Sequence, residues 1–200
     1  MERKIPRVML ILAILGFIYM LAPIIVVVMA GLTAGEFLTF PPQGLSLRWV
    51  AAFLQSESYL SAFFFSFRLA LMTMIVSTIL GTAAALFLSR TNMIGRGAMR
   101  AFFLSPVVLP GVVVGFALFA FYISTGIGLS RTIWGLWIGH ILYSTPYVIG
   151  TVGAALAVYD VSLEEAARSL GASPWRAFRK VTLPNISQGI QAGSIFAFIV

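Results

Sequence analysis

Cysteine is absent from this 200-residue chain, histidine occurs once, and only six carboxylates are present. The missing thiols exclude disulfides and thiolate metal sites. One histidine, His140, and six acids leave little material for a metal cluster or a nucleophile–base pair. No Walker-type glycine loop occurs, so the chain is not expected to bind ATP, and no cofactor of its own is expected. Charge as a whole is scarce: 10% of residues carry it, against about 25% in a soluble domain. Hydrophobic residues make up 60% of the chain. A soluble globule is excluded, and a protein built in lipid is indicated.

What is present is a series of long apolar runs. The basic start "MERKIPR" is followed by "VMLILAILGFIYMLAPIIVVVMAG". That run exceeds the roughly 7–15 residues of a signal-peptide core, so it reads as a retained span. Four full spans are expected near 8–31, 62–89, 101–123 and 133–158, with a fifth apolar run from 188 to 200. As a helix the last run rises only about 20 Å, short of a hydrocarbon core of about 30 Å. The chain is therefore expected to be a piece of a longer one. The fold class is all-α: a polytopic membrane helix bundle, one transmembrane domain across 1–200.

The basic residues fix an expected orientation. Arg3, Lys4 and Arg7 precede the first span. Arg90, Arg96 and Arg100 follow the second, and Arg168, Arg176, Arg179 and Lys180 follow the fourth. All ten fall on one side, against Arg48 and Arg131 on the other. The N-terminus and the loop 159–187 are expected in the cytoplasm. Much of the net charge of +7 is thus a topological signal rather than a ligand site. On the outer side, Pro41, Pro42 and Gly44 break the loop between the first two spans. "LSLRWVAAFLQ" then suits a short interfacial helix, with Ser46 as cap and Leu47, Val50 and Leu54 on one face.

The most polar stretch is "SLEEAARSLGASPWRAFRKVTLPN", from Ser162 to Asn185. Ser162 and Glu165 have capping-box spacing, and Asp160 and Glu164 suit a helix N-terminus. Glu164 and Arg168 form an i, i+4 pair. Leu163, Ala166, Ala167 and Leu170 share one face, flat at its alanines. Gly171 follows, where a helix end favours positive φ. Ser173 and Pro174 open a second helix carrying Trp175, Phe178 and Val181 on one side, which Pro184 is expected to end. Such a pair suits a lipid surface, a docking partner or DNA. Its ends are fixed at the membrane and no third helix completes a domain, so nucleic acid is not expected. Lipid surface and protein docking remain even on these grounds.

The stretch "EAARSLGASPWRAFRKVTLP" resembles the EAA loop of permease subunits of type I ABC importers. Glu165, Ala166 and Ala167, then Gly171, then Leu183 and Pro184 match the family spacing; Val181 stands where isoleucine is usual. "SPVVLPGVVVG" and "GIQAGSIFAF" add to the resemblance, which is nearest to permeases of spermidine/putrescine-type importers, with iron importers nearby. It implies a subunit, not itself an enzyme, that forms the pathway for a small solute in a bacterial inner membrane. It implies about six spans in the whole protein. Implied partners are cytoplasmic ATPase subunits that bind ATP and magnesium, a second permease identical or related, and an extracytoplasmic binding protein. Glu165, Ala166, Ala167, Gly171, Leu183 and Pro184 would form the docking element. A non-transporting scaffold with helices on lipid is the alternative.

Inside the spans, Arg68 is expected to snorkel outward, with a translocation path or subunit interface as its other use. Pro110 and Pro146, with Pro106, are candidate bends along the path. His140 has no carboxylate in its span and reads as a neutral packing residue held by a hydrogen bond. Gly111/Gly115 and Gly135/Gly139 have close-packing spacing. Trp134, Trp137, Tyr122 and Tyr159 read as interfacial anchors.

Overall fold

The computed structural model describes residues 6–37, 39 and 41–200. Arg3 and Lys4, on which part of the charge argument rests, lie outside them, as do Leu38 and Phe40 of the first loop. Ordered secondary structure is helical: α1 Arg7–Gly31, α2 Arg48–Gln55, α3 Glu57–Arg90, α4 Arg96–Val108, α5 Gly111–Thr125 and α6 Ile133–Ala157. A polar segment follows with α7 Ser162–Ser169, α8 Pro174–Ala177, a π turn Phe178–Thr182 and α9 Leu183–Asn185, and α10 Ser187–Ile199 closes the chain. On length and composition, α1 and α3 are each able to cross a membrane alone; counting two bent helix pairs as spans makes up to four.

The chain divides inside α3 into two units, 1–65 and 66–200. In the first, α1 buries none of its residues. The loop after it closes on an isolated bridge between Thr33 and Leu45. Leu47 holds the cap position of α2 rather than the expected Ser46, whose hydroxyl still accepts from Arg48 N–H at 3.1 Å. Leu47, Val50 and Leu54 are exposed, and the Trp49 indole donates to the Gly35 carbonyl at 3.2 Å.

The second unit is a bundle packed through small residues. On its buried side α3 carries Leu69, Thr73, Ser77, Gly81, Ala85 and Leu88, one ridge at near four-residue spacing. α10 buries Gly189, Gly193 and Ala197 with the same period. Both lie against α6. A Cβ on Gly81 would sit 2.5 Å from Val148 Cβ, and one on Gly193 would sit 2.9 Å from Val148 Cα. One on Gly189 would lie 2.8 Å from the Thr151 carbonyl. In lipid no hydrophobic gain drives helices together, so close backbone approach through glycine supplies the dispersion contact instead. The glycines singled out from the sequence pack more loosely: Gly115 has nothing within 4 Å, and Gly139 meets only a Leu118 methyl at 3.3 Å. Gly135 is the exception, seated against the Leu129 carbonyl.

The span expected over 101–123 is not continuous. It is two helices, α4 and α5, meeting at 103°. Pro110 is the cause. The residue before a proline is pushed out of the helical region, and Leu109 has ψ 138°. Pro110 itself is extended at ψ 132°, and its carbonyl starts α5 by accepting from Val113 N–H at 2.8 Å. Pro106 and Pro146 lie inside α4 and α6 without ending either.

Gly193→Ala should destabilise the bundle by about 1–3 kcal/mol, the usual cost of overpacking. Gly153, with nothing within 4 Å of its Cβ position, provides the matched control. Heating both variants in detergent and following the monodisperse fraction should show a lower Tm for Gly193→Ala alone.

Candidate functional site

The polar segment between α6 and α10 holds every residue of the sequence motif. Asp160 begins it. Its carboxylate accepts the Ser162 backbone N–H at 3.0 Å. Hydrogen bonds from the Ser162 side chain and backbone hold the Asp160 carboxyl below its ordinary pKa. The cap is thus Asp160, and the expected Ser162–Glu165 capping box does not form: Ser162 is already the first helical residue, and the position before it is Val161. At the other end Gly171 has φ +89°, as its place after a helix requires. Its N–H donates to the Arg168 carbonyl at 3.0 Å, and Ala172 N–H to Ala167 at 3.1 Å. The Ser173 hydroxyl then accepts from Arg176 N–H at 3.3 Å, with Pro174 at the first helical position.

The second helix does not stop at Pro184. In a regular α-helix Pro184 would clash with the carbonyl four residues back and leave it unpaired. The chain avoids this by widening into the π turn at 178–182, where Leu183 N–H reaches back to the Phe178 carbonyl. The Asn185 side-chain amide donates to the Val181 carbonyl at 2.7 Å, and helix continues to Asn185. Trp175 and Phe178 stack with centroids 5.6 Å apart, on the side their spacing gives them.

The acidic pair is split by burial. Glu165 is exposed. Glu164 is the buried residue of α7, and its partner is not Arg168. Its Oε2 accepts from Arg90 Nη2 at 2.7 Å and from the Thr182 hydroxyl at 2.6 Å, and its Oε1 accepts from Arg90 Nη1 at 3.4 Å. The i, i+4 pairing fails because α7 turns Glu164 inward, where the last residue of α3 supplies a two-toothed guanidinium. Breaking a fully buried pair costs about 3–5 kcal/mol. The Arg90 side chain is 50% exposed. Water screens it, and about 1–3 kcal/mol is the better scale. Tyr159, expected as an interfacial anchor, lies 3.3 Å from the Thr182 hydroxyl instead. A cavity of about 260 Å³ adjoins this cluster, lined by Arg90, Tyr159, Glu164, Glu165 and Arg168 among others.

α7 is therefore the reverse of an ordinary surface helix. Its carboxylate points in, and its apolar face points out. Leu163 is 46% exposed and Leu170 is 90% exposed. Ala166 is exposed between them, Ala167 half-buried, and Trp175 on α8 is 68% exposed. Leu183 is half-buried and Pro184 exposed. The segment thus presents a small, flat, apolar patch edged by Glu165, Arg168 and Gly171.

Compared with models of known protein families, residues 77–200 match the binding-protein-dependent transport system inner membrane component. The chain belongs to that family. It is a multi-pass inner-membrane permease, and the family's work is transport rather than enzymatic conversion. Among its relatives, the putrescine transport system permease protein PotI of Escherichia coli K12 is 30% identical over 194 residues, covering 94% of this chain and 69% of the relative. The spermidine/putrescine transport system permease protein PotC of the same strain is 28% identical over 182 residues, covering 91% and 68%. A probable molybdenum ABC transporter permease of Haloferax volcanii is 35% identical over 135 residues, covering 64% and 50%.

The other candidate residues lie apart from the motif segment. Arg68 is exposed on α3, Pro110 is exposed at the α4–α5 break, and Pro146 is buried in α6. His140 is half-buried beside a cavity of about 480 Å³ that Tyr122, Arg131 and Tyr143 also line. Among the described residues its imidazole has no hydrogen bond; only its backbone carbonyl is used, by the Ser144 hydroxyl at 2.6 Å. Tyr122 is buried and donates to the Gly135 carbonyl at 3.2 Å, so it fastens α5 to α6 rather than anchoring an interface.

Replacing Gly171 tests the bend directly. Gly171→Val should cost about 1–2 kcal/mol, the penalty of a left-handed conformation for a residue with a Cβ. Gly171→Asn should cost less, because asparagine tolerates that region. Amide hydrogen exchange across 162–177 should quicken in that order.

Proposed function

We propose that this permease is the membrane-spanning subunit of an ATP-driven importer for a polyamine such as putrescine or spermidine. Its N-terminus and its segment 159–187 lie in the cytoplasm. The segment is the docking element for cytoplasmic ATPase subunits. Those subunits bind ATP and magnesium; this chain supplies the pathway. A second permease and an extracytoplasmic binding protein complete the assembly.

The observation that carries this reading is the outward apolar face of α7. A short helix that buries a carboxylate and exposes Leu163, Ala166 and Leu170 lacks a covering surface. Glu165 and Arg168 at its edge supply polar contacts of the kind found at an interface rim. Ala166 keeps the centre low enough for close approach. Gly171 sets the angle to α8. The polyamine assignment draws on PotI and PotC, whose names give putrescine and spermidine as their cargo. The molybdenum-named relative makes a small inorganic solute the competing cargo.

Two substitutions test the docking. Ala166→Trp, which puts bulk at the centre of the patch, should weaken co-purification with the ATPase subunits at least about tenfold, and Glu165→Lys at the rim by a smaller factor. Uptake should fall in parallel while membrane insertion stays normal. Full assembly and uptake in both variants would overturn the reading. For the cargo, labelled putrescine should accumulate in an ATP-dependent way and molybdate should not.

A further inference from the structure

We propose that Arg90, Glu164 and Thr182 form a positioning strut that delivers movement of the docking segment to the end of α3. The inference rests on the coupling role proposed above, and it assigns a task to residues which that role leaves unused.

Glu165, not Glu164, is exposed beside the docking face. Glu164 is the buried residue of α7. A helix of this size would ordinarily hold to its bundle through leucine, yet Leu163 is 46% exposed. The grip runs through a carboxylate instead. Apolar contacts are non-directional and slide. A guanidinium–carboxylate fork is directional, and holds one register under pull as well as push. The fork spans 74 positions of sequence, joining α7 to the last residue of a 34-residue helix.

Proton positions extend the chain. A carboxylate only accepts, and threonine has one hydroxyl proton. Thr182 spends that proton on Glu164 Oε2 at 2.6 Å. Tyr159, 3.3 Å away, must then be the donor to Thr182. Three segments therefore meet at one carboxylate, the end of α3, α7 and the π turn, and the stretch following α6 joins them through Thr182. Farther along, α3 is pressed to α6 where Gly81 meets Val148. A displacement delivered at Arg90 thus enters a helix that is locked into the bundle.

The test uses the full chain in the assembled importer, reconstituted in proteoliposomes. Glu164→Gln keeps the shape of the side chain and removes its charge; Arg90→Gln removes the charge and the fork of its partner and shortens the side chain. Each variant should assemble with the ATPase and hydrolyse ATP, but putrescine moved per ATP should fall about tenfold, within the usual range of coupling between sites. The double variant should be no worse than either single one, because the pair acts as a unit. Arg90→Lys, which keeps the charge but loses the fork, should restore only part of the ratio. A second readout needs no cargo. The chain has no cysteine, so spin labels can be placed at Phe87→Cys on α3 and Val161→Cys beside α7. Pulsed electron resonance should show one narrow distance, unchanged between nucleotide-free and ATP-bound states, and a broadened one in Glu164→Gln. Unchanged distances and unchanged putrescine per ATP in both glutamine variants would overturn the strut, even if they lowered Tm. If the unmodified chain failed to retain ATPase subunits, the coupling reading itself would fall, and the strut with it.

Discussion

Val148 is the point on which the bundle closes. Gly81 of α3 and Gly193 of α10 both meet it, from two different helices. Any side chain at either glycine would enter the space that Val148 and its backbone occupy. The arrangement follows from the solvent. Acyl chains are as apolar as leucine, so helices gain from shape and proximity rather than from escape from water. Ser144, Thr145 and Thr151 show the matching rule for polar groups: each hydroxyl donates to a carbonyl on its own helix. These three hydroxyls of α6 satisfy themselves locally, whereas those of Thr73, Ser77, Thr78 and Thr82 on α3 are buried without a partner among the described residues.

The motif segment obeys a different physics. It invests charge inward and apolar surface outward. The inward carboxylate gives α7 a fixed attachment. The outward leucines and alanine leave it unfinished as a lone helix. Those two properties suit a part that is held on one side and pressed on the other. Family membership gives that part a setting, since permeases of this kind work within larger transport systems.

Much of this was legible in the sequence because it depends on neighbours along the chain. Long apolar runs marked α1, α3 and α6 to within a few residues at most ends. Gly171 and Ser173 announced the bend and the second cap by residue type and position alone. The motif spacing marked the family. What stayed hidden depends on partners distant in sequence or on a choice between two local solutions. Glu164 had a plausible mate four residues away, and took one 74 positions away because burial rotated the helix. Pro184 looked like a stop, and a single π turn let the helix pass it. Pro106, Pro110 and Pro146 carry the same local signal, but only Pro110 breaks its helix; there the backbone on both sides of the peptide turned extended. Tyr122 and Tyr159 have the composition of anchors and the geometry of clasps.

The break at Pro110 has a consequence for how this chain meets its surroundings. A helix end leaves its last carbonyls without internal partners. At the end of α4 these lie beside Val108 and Leu109, which are 83% and 48% exposed. Hydrocarbon offers such groups nothing to bond with. Placed at membrane depth, that edge of the permease would be closed to acyl chains. There, either another protein surface or a column of water would have to stand against it. A bare stretch of backbone thus tells lipid-facing sides from enclosed ones, with no neighbour in view.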